Sequence, residues 1–261
     1  MSLVKAKKHL GQHFLTDKNI AAKIVSSLIH TNQYKHVLEV GPGMGILSDI
    51  LLERSDLEAF LIDIDTESYH FLNQKYPQLG DRLINGDFLA LNLSAIFHDK
   101  YAVIGNFPYN ISSQILFKIL ENRQQVVEMV GMFQKEVAER CASKAGTKEY
   151  GILSVLIQAY YNIEYLFTVK PGTFNPPPKV NSGVIRLSRN EVETLPCDEK
   201  LFWRTVKAGF NQRRKTLRNA LSSLIPKDRM DTNPFFDKRA EQLTVADFIA
   251  LTQHLSKLAA A

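Results

Sequence analysis

Two kinds of apolar pattern alternate along the first 190 residues, and only one continues after them. Short, nearly continuous apolar runs occupy His36–Val40, Ala59–Ile62, Leu83–Ile84, Tyr101–Ile104 and Val126–Phe133. The first four run into Gly41, Asp63, Asn85 and Gly105, and all five read as buried strands. Between the runs, apolar residues recur every three or four positions, which predicts helices. Ile20, Ile24, Val25 and Leu28 form one such face, with Thr16 or Asp17 as its cap. Others cover 46–52, 67–75, 115–120 and 135–142, and 152–161 is apolar enough for a buried helix. Residues 163–169 and 182–187 read as a hairpin-like pair of strands. The proline-rich segment Pro171 to Pro178 between them is excluded from any central strand or helix.

The alternation predicts an α/β fold: a mostly parallel, three-layer, Rossmann-like sheet with an antiparallel strand at one edge. After about Arg189 the strand signals stop, and 201–208, 213–224, 238–243 and 245–257 read as helices. The expected organisation is an α/β domain over 1–190, with a basic N-terminal arm, and a small all-α domain over 191–261.

Charge sharpens this division. The net charge of the 261-residue chain is +5, and residues 201–261 alone carry 11 Lys+Arg against 5 Asp+Glu. A near-neutral body with a basic C-terminal module suits a polyanionic partner, nucleic acid first. The arm holding Lys5, Lys7 and Lys8 reads either as a mobile tail or as a helper in that contact. No apolar run is long enough to span a bilayer, and the N-terminus lacks a signal-type apolar stretch. Two cysteines make neither a disulfide framework nor a metal site, and the histidines lack metal-ligand spacing, so no metal is expected and a cytoplasmic setting is.

Candidate chemistry lies at the ends of the predicted strands. Gly41, Gly43 and Gly45 follow the first strand, Asp63 ends the second and Asp87 the third. Glycines let a backbone turn sharply and approach a ligand, and an acid about 20 residues on suits a ribose diol. The dinucleotide pattern needs glycine where Ile46 stands, so the loop fits S-adenosylmethionine better. Asp87 is then placed for the adenine amino group. The fourth strand runs into Asn106-Phe107-Pro108-Tyr109. These are common turn residues, but they also suit a flat substrate. An exocyclic amine is a poor nucleophile because its lone pair is delocalised into the ring. The Asn106 side-chain carbonyl and a backbone carbonyl near Pro108 could accept its two hydrogens and restore that lone pair. Tyr109 would stack on the flipped base, and catalysis would be positioning and electrostatics, with no general base needed before attack. In the C-terminal module Arg213, Arg214, Lys215 and Arg218 form a basic patch on a predicted helix, suited to RNA phosphates.

With Gly11-Gln-His-Phe-Leu15, Gly-Pro-Gly-Met-Gly45 and Asn106-Phe-Pro-Tyr109 in order, the sequence resembles the KsgA/RsmA family of small-subunit rRNA adenine dimethyltransferases. The resemblance continues through Lys148 to Val155, Phe174-Asn-Pro-Pro-Pro-Lys-Val180 and Phe210-Asn-Gln-Arg-Arg-Lys-Thr-Leu-Arg218. It implies a class I S-adenosylmethionine-dependent methyltransferase; the sequence gives no hint of an oligomer, so a monomer is expected. Its implied substrate is two adjacent adenosines near the 3′ end of 16S rRNA in the 30S subunit, late in assembly. It also implies that His13 and Leu15 contact the cofactor, that Gly41 lines its methionine part, and that Asn106 holds cofactor and target amine. Phe174 would be the second face of an aromatic clamp with Tyr109. Position 13 is His where many members have Asn, and position 63 is Asp where many have Glu. Two other readings stay open: a methyltransferase of this fold acting on 23S rRNA, and an assembly factor without the chemistry. An NAD oxidoreductase fails on the glycine spacing.

Overall fold

The structure, a computed structural model, describes residues 4–260. The first three residues of the expected basic arm lie outside the described residues. Strand β1 (Phe14–Leu15) precedes α1 (Lys18–Ser26). Asp17 caps α1, accepting from the backbone N–H groups of Asn19 (2.9 Å) and Ile20 (3.2 Å). The expected alternation follows: β2 (His36–Val40), α2 (Ile46–Leu51), β3 (Glu58–Asp63), α3 (Thr66–Lys75), β4 (Leu83–Asn85), β5 (Tyr101–Asn106), α4 (Ser112–Glu121), β6 (Val126–Gln134) and α5 (Lys135–Ala142). Then come α6 (Ile152–Gln158), β7 (Tyr161–Val169), β8 (Phe174–Asn175) and β9 (Ser182–Arg189).

Among the described residues, seven strands form one sheet in the order β4-β3-β2-β5-β6-β9-β7. The pairings from β4 to β6 are parallel, and β9 runs antiparallel to β6. The proline-rich segment stays out of this sheet: among the described residues its two-residue strand β8 pairs with β1 alone. Strand order reverses between β2 and β5. Loops leaving two such strands diverge and open a crevice at their carboxyl ends. The loops here are the glycine loop after β2 and the turn Phe107 to Tyr109 after β5.

The core joins the sheet to its helices through residues such as Ile24 of α1, Leu47 of α2, and Val37, Leu61, Ala102 and Val130 of the strands. Glu128 is a polar exception inside it. Its carboxylate accepts from the N–H groups of Ile29 and His30 (3.1 Å each) and the Tyr34 hydroxyl (2.6 Å), so it is paired rather than stranded.

The chain divides into two compact units. The first holds the described residues up to Ala138 together with Asn162–Arg189. The second holds Glu139–Tyr161 and everything from Asn190. A single boundary near residue 190 therefore leaves out one piece of the second unit, α6 and its flanks. Helix α6 packs on α7 (Glu199–Asn211) and α9 (Val245–Ala260), and an apolar run does not disclose which core it will join.

The second unit departs from the expected helices in two places. No single helix covers 213–224: residues 212–216 form a turn, α8 (Leu217–Ala220) is one turn long, and a 3₁₀ turn follows. Thr216 is extended (ψ 156°), and the Leu217 N–H bonds to Lys238 O (2.8 Å), so a tertiary contact begins α8 afresh. Residues 234–242 form two short 3₁₀ pieces rather than an α-helix. Phe202, Phe236 and Phe248 fill this unit's core. No helix among the described residues is long and apolar enough to cross a membrane.

Candidate active site

The turn after β5 is anchored by Phe107. Gly105 and Gly131 face each other on β5 and β6, and the Phe107 ring lies over the pair. A Cβ on Gly105 would come within 2.9 Å of that ring, and one on Gly131 would overlap it. The ring also meets Phe133 at 4.9 Å, and the Phe107 N–H donates to Met132 O (3.1 Å). Phe107 is 1% exposed, whereas Asn106, Pro108 and Tyr109 around it stay half-buried. Sequence reasoning gave Phe107 no role. Its signal is a glycine in each of two strands, and only the sheet register makes them neighbours.

A cavity of about 190 Å³ opens beside this turn. It is lined by Gly41 and Gly43, Asp63, Asp87, Asn106 to Tyr109 and the segment Leu10 to Phe14. Gly41 is left-handed (φ 69°), and a Cβ there would meet nothing within 4 Å, so the loop leaves open space at that point. Gly43 (φ 57°) is tight instead, with the Phe14 ring 2.7 Å from where its Cβ would be. The buried Asp63 accepts from the N–H groups of Gly43 (3.1 Å) and Asp65 (2.9 Å), so it braces the glycine loop as well as facing the cavity. Asp87 is exposed, and one of its oxygens accepts from the Leu89 N–H (2.8 Å).

Asn106 is oriented by its amide nitrogen, which donates to the backbone O of His13 (2.8 Å). Its Oδ1 is thereby left as an acceptor on the cavity wall. His13 Nδ1 lies 2.8 Å from Pro176 O, so that nitrogen carries the proton. The His13 ring rests against Tyr109 (5.5 Å, 30°), and the Tyr109 hydroxyl lies 2.5 Å from Ser182 Oγ. Leu15 is buried away from the main cavity and lines a smaller adjoining space of about 30 Å³ with Glu39, Gly41 and Asn106. Phe174 is 4% exposed, pairs through β8 with Leu15 and belongs to the core.

The described part of the N-terminal arm is not a loose tail. Lys7 pairs with Asp65 and with Glu67 (3.3 Å). Gln12 donates to Asp65 (3.0 Å) and accepts from the Lys7 N–H (2.8 Å). Burial works against a charged Asp65, but these bonds outweigh it and hold the carboxyl below its ordinary value. Lys7 is thus committed to carboxylates at the start of α3, while Lys5 and Lys8 remain exposed. Two buried acids near the cavity go the other way. Burial pushes Glu39 up to about 8 against a hydrogen bond from Ser48 (2.6 Å). Burial also raises Asp63 to about 6, against its two backbone donors.

Of the four basic residues in the C-terminal patch, two are half-buried and also brace their own unit. Arg213 bonds Glu241 (2.8 Å) and the carbonyls of Lys148 (2.5 Å) and Thr147 (3.3 Å). Arg218 bonds the carbonyl of Asp231 (3.1 Å) and lies over the Phe236 ring (5.3 Å). Arg214 and Lys215 are exposed and make no ion pair or side-chain hydrogen bond among the described residues.

Comparison with known proteins identifies the relatives of this arrangement. The family described as "Ribosomal RNA adenine dimethylase" matches residues 3–257. The "Ribosomal RNA small subunit methyltransferase A" of Cytophaga hutchinsonii is 59% identical, over 98% of this chain and 99% of that protein. Its namesake in Flavobacterium johnsoniae is 54% identical, over 98% and 97%. A solved dimethyladenosine transferase from Plasmodium falciparum has a TM-score of 0.78 at 25% identity, covering 95% of this chain and 98% of that one. The 23S rRNA methyltransferase ErmE shares the fold, with a TM-score of 0.67 at 22% identity over 92% and 99%. The sheet order, the crevice at its switch point and these matches agree on a class I methyltransferase fold, and the chain belongs to the ribosomal RNA adenine dimethylase family.

Proposed function

We propose that the protein uses S-adenosylmethionine to dimethylate the exocyclic amino groups of two adjacent adenosines near the 3′ end of 16S rRNA. Its partner on this reading is the 30S subunit late in assembly, met by a monomer in the cytoplasm. The observation that carries the reading is Asn106. Its amide nitrogen is tied to His13 O, so its oxygen is held as an acceptor between the glycine loop and Tyr109. The residues present fit the cofactor: Gly41 leaves backbone space, Asp63 is a buried carboxylate able to hold ribose hydroxyls, and Asp87 has a second oxygen free for an amino group. When bound, the cofactor supplies an electrophilic sulfonium methyl. Asn106 Oδ1 and the Pro108 carbonyl accept the hydrogens of the target amine, and Tyr109 offers a face for the base. The decisive experiment incubates unmethylated 30S with protein and cofactor, with 50S in a parallel arm, followed by mass analysis of rRNA fragments. Two methyl groups on each of two adjacent 16S adenosines support the proposal. Methylation of 23S rRNA alone, or none at all, overturns it in favour of the resistance-type or the non-catalytic reading.

Asp63 makes cofactor affinity depend on pH. Ribose hydroxyls donate to the charged carboxylate, and burial raises its pKa to about 6. Affinity is therefore complete above that value and falls as pH drops through it, by about tenfold per unit below. Calorimetry from pH 5 to 8 should show this slope, and Asp63→Asn should lose both the affinity and the slope.

The second unit is proposed as the rRNA-binding part, with Arg214 and Lys215 as its phosphate contacts. Replacing both with alanine should weaken 30S binding and lower the slope of log K against log salt by about 2. Arg213→Ala tests something else, because it cuts the struts to Glu241 and Lys148 and should lower the melting temperature. Filter binding across a salt series, read beside thermal melts, separates the two effects.

A further inference from the structure

Tyr109 and Ser182 lie 73 residues apart in sequence, and the direction of β9 brings them together. Because β9 runs antiparallel to β6, its first residue lies at the end of the sheet where β5 and β6 finish. Ser182 pairs with Gln134, two residues beyond Met132, which pairs with Asn106. A parallel strand in the same place would present its last residue to the crevice and carry Ser182 to the far end. Ser182 is fully buried, and its Oγ lies 2.5 Å from the Tyr109 hydroxyl. A second group, the His13 ring, rests against the same tyrosine and is itself fixed through Nδ1 to Pro176 O. Tyr109 is thus held at its hydroxyl by one strand and at its ring by the N-terminal segment.

We propose that Ser182 is a positioning residue for methyl transfer: by holding the Tyr109 hydroxyl it sets the plane of the ring on which the target base stacks. This rests on the function proposed above. A ring attached only through its Cβ can swing, and the base stacked on it would swing too. The amine would then leave the Asn106 acceptor by a fraction of an ångström, and a misplacement of about 1 Å can cost about 10²-fold in rate. Burial of Tyr109 raises its pKa, so the hydroxyl keeps its proton and can donate to Ser182.

The test is a double-mutant cycle with Ser182→Ala, Tyr109→Phe and the pair, assayed by single-turnover methylation of unmethylated 30S. Each single variant should slow transfer about tenfold, with 30S binding and S-adenosylmethionine affinity unchanged. The pair should be no slower than either alone, because both remove one hydrogen bond. Ser182→Ala at the wild-type rate overturns the proposal, as do multiplicative losses in the pair. A Ser182→Ala protein that loses cofactor affinity or thermal stability in proportion to its rate also overturns it, since Ser182 would then be structural only. Wild-type protein runs alongside, and its failure to methylate 30S would count against the proposed function rather than against Ser182.

Discussion

Replacing Asn106 with alanine should slow methyl transfer by roughly 10³-fold while leaving 30S binding nearly intact. Removing one preorganised hydrogen-bonding group from a reacting centre costs about 10²–10³ in rate, and Asn106 supplies more than one contact. Its Oδ1 is the acceptor for the target amine. Its Nδ2 also fixes the backbone of His13 (2.8 Å), whose ring lies against Tyr109. Binding should survive because the proposed phosphate contacts, Arg214 and Lys215, belong to the other compact unit. Asn106→Asp separates the two roles, because it keeps an acceptor but cannot donate to His13 O. It should fall between wild type and alanine in single-turnover rate. Wild-type dimethylation by Asn106→Ala would remove this residue from the mechanism.

Phe107→Ala should have the largest effect on stability, lowering the free energy of unfolding by about 3–5 kcal/mol. Phe107 is 1% exposed and covers Gly105 and Gly131, which have no side chains to fill the space it would leave. Transfer should slow as well, since Asn106 and Pro108 flank this anchor and would lose their fixed direction. Phe107→Leu should recover part of both losses by refilling some of the volume. Denaturant midpoints with constant m-values, set beside single-turnover rates, check this prediction. A midpoint within experimental error of wild type would show that the turn is held by something other than Phe107.

The two variants probe neighbours in sequence that differed greatly in legibility. Asn106 is chemically conspicuous: an amide at the end of an apolar run, after a glycine loop and two strand-end acids, has few uses other than hydrogen bonding. Phe107 reads as one more core residue until Gly105 and Gly131 are known to be opposite each other. The basic patch holds two kinds of residue that the sequence does not distinguish. Arg213 and Arg218 carry the same charge as Arg214 and Lys215, yet carbonyls and carboxylates of their own unit occupy them. Phe174 came to notice through the resemblance alone, and its pairing with Leu15 and its burial are visible only in the fold.

By itself, the sequence determined the strand and helix alternation, the glycine loop with Asp63 and Asp87 at successive strand ends, and the resemblance to rRNA adenine dimethyltransferases. These are properties of short windows, where the period of apolar residues and the spacing of polar ones are set by local backbone geometry. The tertiary structure alone decided which core α6 joins, which arginines remain exposed, that Lys7 and Gln12 fasten the N-terminal segment to Asp65, and that Ser182 meets Tyr109. Each of these depends on a partner tens of residues away, chosen by strand direction and register, and one-dimensional spacing carries no record of that choice.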